Sequence, residues 1–183
     1  MRYSGWMKTA GLFAIVFLMM SVPAFSADLA LFLGQQDAGV VTLESVPDAG
    51  GAITQIVKNP LKAGTFGVRF GGGKVVGHET TIAYTHHFID SNSHALVMNT
   101  NLVLTIPLPV VKPYVTAGLG TFLVSGSGIS DIGSKFAYNY GGGVKVLPGP
   151  IGVQGDVRGY SLVGVNGDTM NVVEVSIGIL FHF

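Results

Sequence analysis

The 183-residue chain has ten basic and ten acidic residues, only 11% charged residues in all, 48% hydrophobic residues, 27 glycines and no cysteine. That length suits one domain, and so apolar a composition excludes ordinary disorder, which needs high charge and few apolar residues. Zero formal net charge removes the electrostatic basis for nucleic-acid binding, and the missing thiol excludes disulfides, thiolate metal sites, cysteine-linked lipid and cysteine nucleophiles.

Residues 1–26 read as a cleavable secretory signal peptide. Arg2 and Lys8 supply its positive region, and Thr9–Met20 an apolar run. Ala24-Phe25-Ser26 sets small residues at the cleavage position before Ala27. The apolar run falls short of the roughly 20 residues that span a bilayer as a helix. The expected organisation is therefore a signal peptide over 1–26 and one mature domain over 27–183.

The mature chain shows period-2 alternation between glycine-rich and proline-rich breaks, the pattern of two-faced strands. Leu29, Leu31 and Leu33 open the series against Ala30, Phe32 and Gly34. Phe66, Val68 and Phe70 then oppose Thr65, Gly67, Arg69 and Gly71; Thr80, Ile82, Tyr84, His86 and Phe88 oppose Glu79, Thr81, Ala83, Thr85 and His87. Leu96, Met98, Leu102, Leu104 and Ile106 are set against Asn99, Asn101 and Thr105. Val115, Ala117 and Leu119 alternate with Tyr114, Thr116, Gly118 and Gly120. Phe136, Tyr138, Tyr140, Val144 and Val146 oppose Lys135, Asn139, Gly141, Gly143 and Lys145, and Ile151, Val153 and Val157 oppose Gln154, Asp156, Arg158 and Tyr160. The last segment carries Val173, Val175, Ile177, Ile179, Phe181 and Phe183 on one face, with Glu174, Ser176, Gly178, Leu180 and His182 on the other. The polarity is that of a membrane barrel, with a dense apolar face toward lipid and a sparse polar face inside. A soluble barrel with an apolar lumen has the inverse arrangement.

The fold class this predicts is all-β: an eight-stranded antiparallel up-and-down transmembrane β-barrel. Short connections at Gly72–Val75, Pro107–Lys112 and Leu147–Pro150 are expected on the periplasmic side. The longer ones at Gln35–Ala63, Ile89–His94, Val124–Ser134 and Leu162–Thr169 are expected outside. The final strand should close the barrel against the one beginning near Ala27.

Opposed residues in a hairpin share a face, which yields register expectations. A turn centred on Pro148-Gly149 opposes Lys145 to Gly152, Gly141 to Asp156 and Asn139 to Arg158. A turn centred on Lys74 opposes Arg69 to Glu79. Between the last two strands a two-residue Asn166-Gly167 turn would mismatch the faces. A three-residue tip at Val165-Asn166-Gly167, with Gly167 left-handed, opposes Arg158 to Glu174 instead.

Arg69, Glu79, Lys135, Lys145, Asp156, Arg158 and Glu174 all project inward on this reading. They make a structural ion-pair plug, because eight strands enclose a lumen that side chains fill and buried charges must be paired. A charged pore is the alternative. Phe66, Phe136 and Phe88 are expected in an external aromatic girdle; Phe70, Phe181 and Phe183 in a periplasmic one.

His86, His87 and His94, with Asp90, flank the second external loop, but adjacent strand residues point to opposite faces and His86 and His87 should not share a metal ion. Ser91 and Ser93 add nucleophile types without a spacing that fixes a triad. The runs Gly71-Gly72-Gly73-Lys74 and Gly141-Gly142-Gly143 lead into strands, not into the helix a phosphate loop requires. In the first loop, Ala38–Leu43 can extend the first hairpin, and Ile53–Lys58 reads as a short helix or a return strand. No catalytic residue, metal or cofactor is assigned.

Several stretches together resemble the small outer-membrane β-barrel family, related in architecture to the OmpA-type transmembrane domain. They are Gly77-His78-Glu79 leading into Ala83-Tyr84-Thr85, the run Pro113–Gly120, Tyr140–Val144, Asp156-Val157-Arg158 and the closing Gly178–Phe183, which cover roughly residues 60–183. The resemblance implies insertion by the barrel-assembly machinery, which reads alternate apolar residues ending in a C-terminal aromatic: Val175, Ile177, Ile179, Phe181 and Phe183 match that pattern. The family hosts diverse roles and supplies no activity by itself. The expected protein is an exported outer-membrane component of a Gram-negative-type bacterium. It contacts outer-membrane lipid, has a structural or surface-interaction role, and presents loop 35–63 to a possible external ligand. A narrow solute channel and a lipid-modifying enzyme are the alternatives. The chain stops at Phe183, so no C-terminal peptidoglycan-anchoring module is expected.

Overall fold

Alternation makes each segment apolar on one side, and in hydrocarbon every backbone N–H and C=O must also find a partner. Both demands are met in a computed structural model, which describes residues 27–38, 41–47, 53–58, 62–88, 91–126, 133–165 and 168–183. The strands are β1 (Ala27–Ala38), β2 (Val41–Pro47), β3 (Ile53–Lys58), β4 (Ala63–Gly72), β5 (Val76–His86), β6 (His94–Thr105), β7 (Val111–Ser125), β8 (Gly133–Val146), β9 (Ile151–Val165) and β10 (Asp168–His182). Eight of them close into one barrel in the order β1-β10-β9-β8-β7-β6-β5-β4. β2 and β3 form a separate two-stranded antiparallel sheet in the first loop, so Ile53–Lys58 is the return strand of a hairpin. The signal-peptide reading of 1–26 lies outside the described residues.

The seam is made by β1 and β10, with Leu31 opposite Ile179 and Leu33 opposite Ile177 on the outer face. Val175, Ile177 and Ile179 point outward and are well exposed, Ile177 at 67% and the terminal Phe183 at 76%. Ala30, Phe32, Glu174, Ser176 and Leu180 are buried inside. An apolar exterior around a polar interior marks the outer wall as a hydrocarbon-facing surface.

Two expected registers change, and in a third hairpin the register holds while the tip differs. β8 and β9 pair Lys145 with Gln154, Gly141 with Arg158 and Asn139 with Tyr160, two residues from the Pro148-Gly149 register. β4 and β5 pair Arg69 with Thr81 and Gly71 with Glu79, again two residues away. The cause in both is capture of turn residues by the neighbouring strand in a staggered barrel. Leu147 N donates to Val110 O at 2.8 Å, and His182 N to Pro150 O at 2.8 Å. At the other turn, Val76 and Gly77 pair with β6, and Thr105 N donates to Val75 O at 2.8 Å. A shift of two leaves every residue on its expected face.

The third hairpin is that of β9 and β10. Arg158 does oppose Glu174, but only two residues, 166 and 167, separate the paired Val165 and Asp168. A bulge that restores the faces lies at Gly164, whose φ is +77°; Gly167, expected to be left-handed, lies outside the described residues. Residues 162–165 and 168–169, expected in a long fourth loop, instead belong to the ends of two 15-residue strands. The left-handed conformation at Gly164 skips one residue of the ladder, so Leu162 and Val165 both face inward.

Gly164 has open space beside its Cα but a backbone that L residues avoid. Gly164→Ala is therefore expected to destabilise the barrel by about 1 kcal/mol through strain alone, read as a lower temperature for loss of heat-modifiable migration in a detergent gel. An unchanged transition would show that the bulge carries no strain.

Candidate functional site

The interior is built in three layers, each from inward positions on several strands. In the middle, Arg69 Nη1 donates to Asp156 Oδ2 at 2.6 Å, and Arg69 Nη2 to Glu174 Oε1 and Ser176 Oγ, both at 2.9 Å. Arg158 Nε donates to Asp156 Oδ1 at 3.0 Å and its Nη2 to Glu79 Oε1 at 2.7 Å. Asp156 thus bridges the two guanidiniums. Three carboxylates face two cations here, and neutral donors hold the surplus negative charge. Gln36 Nε2 donates to Glu174 Oε2 at 2.7 Å, and the Tyr114 hydroxyl to Asp156 Oδ2 at 2.8 Å. The Arg69 guanidinium also lies 3.8 Å over the Phe32 ring, a cation–π contact.

Small residues make room for this layer. Gly71 is opposite Glu79, Gly141 opposite Arg158 and Gly143 opposite Asp156. A Cβ at Gly141 would lie 2.4 Å from the Val157 carbonyl oxygen and 3.0 Å from Arg158 Cγ. The glycines that alternate with the lipid-facing residues are thus space for long charged side chains.

Toward the extracellular end the interior turns apolar. Phe88, Phe122 and Tyr160 stack with centroids 5.7 and 5.3 Å apart. Val97, Val124, Leu162, Val165, Met170 and Val172 fill the space around them. Phe88, expected in the external girdle, is instead 1% exposed inside the barrel. The cause is His87, whose φ of +57° breaks the alternation at the end of β5; histidine tolerates that region better than most residues. The same turn overturns the expectation that His86 and His87 diverge, because their rings lie 3.7 Å apart. His94 is the cross-strand partner of His86. Among the described residues no group of three or more histidines and carboxylates is placed to hold a metal ion. Asp90 lies outside the described residues, Ser91 is exposed in a turn and Ser93 is buried.

At the periplasmic end Lys145 Nζ donates to Asp28 Oδ2 at 2.6 Å, and His182 Nδ1 contacts Asp28 Oδ1 at 2.7 Å. Asp28 was not singled out from the sequence, although its inward parity with Ala30 and Phe32 was available as the signal. Lys145 therefore belongs to this outer cluster and not to the central layer. Lys135 belongs to neither: it lies at the extracellular rim, where its Nζ donates to the Gly164 carbonyl at 2.7 Å. Glu174 and Arg158, though opposed in register, take different partners. The space left between Arg69, Glu79, Lys145 and Gln154 is a cavity of about 10 Å³, room for about one water.

A family model described as "Outer membrane protein beta-barrel domain" matches residues 12–183. Among solved structures, outer membrane protein OprG of Pseudomonas aeruginosa is similar at 11% identity, over 87% of this chain and 96% of that one, with a TM-score of 0.61. Neisserial surface protein A follows at 14% identity, 85% and 97% coverage and a TM-score of 0.60. The N-terminal β-barrel domain of Pseudomonas aeruginosa OprF is 16% identical, with 85% and 97% coverage and a TM-score of 0.53. At these identities the likeness is one of fold. No curated protein matches the chain in sequence.

Arg69 and Glu174 are 2% and 1% exposed, so truncating either strands a buried partner. Glu174→Ala is expected to destabilise the barrel by about 3–5 kcal/mol. Arg69→Ala should cost more, because it leaves Asp156 and Glu174 both short of a cation. Thermal unfolding in detergent checks the order, and equal or negligible losses would show that the ion pairs do not support the barrel.

Proposed function

The chain belongs to the outer-membrane β-barrel family, and on that premise we propose a structural or surface-interaction role for it, with no conduction and no chemistry in the lumen. As a member of that family it sits in the bilayer of the bacterial outer membrane. The observation that carries the proposal is the double closure of the interior. The ion-paired layer around Asp156 crosses its middle, and the Phe88–Phe122–Tyr160 stack fills its extracellular half. A desolvated ion that met this layer would have to displace paired charges, and one that met the aromatic cluster would find no charged partner. The reading assigns the protein no catalytic residue, metal or cofactor.

Contact with a partner outside the cell falls on this view to the first loop, residues 35–63, from which the β2–β3 hairpin is built. Long loops carry recognition more often than the scaffold beneath them. The route to the membrane is export with removal of residues 1–26, then insertion by the assembly machinery reading Val175, Ile177, Ile179, Phe181 and Phe183. The support for that step is their position: Val175, Ile177, Ile179 and Phe181 alternate along β10 against β1, and Phe183 follows, its N–H donating to Ala27 O.

Purified barrel in planar lipid bilayers is expected to give no steady single-channel steps. Reproducible steps from the wild-type protein would transfer it to the narrow-channel reading. Deleting Phe183 should reduce the outer-membrane, heat-modifiable fraction severely, while replacing residues 48–52 with a glycine-serine stretch should leave it intact. Normal insertion of the truncated chain would overturn the assignment of the C-terminal signal.

A further inference from the structure

We propose that the periplasmic mouth of the barrel is a binding site for the phosphate of an anionic membrane lipid headgroup. The proposal goes beyond the structural role and rests only on the orientation that puts the short turns on the periplasmic side. Lys112 and Lys145 are directly opposed across β7 and β8. Like charges opposed in this way repel unless an anion lies between them. Lys74, on the turn after Gly73, is the third ammonium group lining the same concavity of about 330 Å³, and His182 the imidazole.

The single carboxylate lining this concavity is Asp28, and both of its oxygens are engaged. One meets Lys145 at 2.6 Å and the other His182 at 2.7 Å. Three ammonium groups against one carboxylate leave two positive charges, with the histidine counted neutral. Lys74 and Lys112 have no ion-pair partner among the described residues. The site is therefore positively charged, with Lys145 and His182 fixed by their Asp28 contacts.

The walls identify the source of that anion. Pro107, Leu108, Pro109 and Leu147 line the same concavity as the lysines, so it is part cationic and part apolar. Free phosphate has no use for the apolar side, whereas the glycerol and first methylenes of a lipid do. Phe183 and Phe181 lie at the same end of the barrel, the level at which aromatic residues mark the bilayer interface. A lipid phosphate lies at this depth. The site also gives a use to Gly71-Gly72-Gly73-Lys74. The positive φ of Gly73, +130°, turns the chain so that Lys74 faces the concavity. Here ammonium groups from several separate elements replace the helix N-terminus of a phosphate loop.

The test is native mass spectrometry of the full barrel, released from micelles holding equal amounts of dioleoylphosphatidylglycerol and dioleoylphosphatidylcholine. Wild type is expected to retain the anionic lipid about tenfold over the zwitterionic one. The double variant Lys74→Gln/Lys112→Gln should lose that preference while keeping its heat-modifiable migration. Lys112→Arg, which keeps the charge, should retain it and serves if the double variant does not fold. Inorganic phosphate added at millimolar concentration should displace little of the retained lipid. Equal retention of both lipids, a preference unchanged in the double variant, or complete displacement by inorganic phosphate would each overturn the proposal.

Discussion

Everything in this molecule depends on the closure of β1 against β10. In hydrocarbon an open strand edge leaves a row of unsatisfied N–H and C=O groups, each costing several kcal/mol. Closure removes the edge, and once the sheet is a cylinder every residue must face either lipid or lumen. The lipid side selects Leu31, Leu33, Ile177 and Ile179 at the seam. The lumen side then inherits what the alternation leaves over: glycines, hydroxyls, amides and the charged residues of the central layer and the periplasmic cluster, together with the lysine at the rim.

A lumen of this width has no room for an indifferent filling. Three of the long charged side chains gain room from glycine on a neighbouring strand: Arg158, Asp156 and Glu79 lie against Gly141, Gly143 and Gly71. Burial then forces their pairing. Asp156 joins Arg69 to Arg158, and Tyr114, Gln36 and Ser176 add hydrogen bonds to these charges. Where the charges stop, aromatic and aliphatic side chains begin, so the barrel is filled by two chemistries in series. The periplasmic cluster is the exception, because its cations outnumber its carboxylates.

Two backbone positions govern the external rim. Gly164 inserts a bulge into β9 and His87 turns the end of β5, both through positive φ. Each resets the alternation locally: the first keeps Val165 inward, and the second sends Phe88 into the lumen and sets the His86 and His87 rings together. Period-2 reasoning holds along a strand and fails at its end, because one left-handed residue is enough to reverse a face.

The sequence by itself determined the architecture. Period-2 alternation, the apolar last strand and the spacing of turns are local properties, and a bilayer turns them into an eight-stranded closed sheet without further information. It also determined which side chains face inward, including Arg69, Glu79, Asp156, Arg158, Glu174 and Tyr114, since facing depends on parity alone. Tertiary structure decided who meets whom. The stagger of the barrel moved two hairpins by two residues, which preserves every face while changing every partner. It gave Glu174 and Arg158 different ion-pair partners although they stay opposed, took Lys135 out to the rim and gave Lys145 to Asp28, a residue more than a hundred positions away in the chain. Parity is written in neighbouring residues, but pairing across a lumen is set by the height at which each strand enters it, and no local pattern encodes that height.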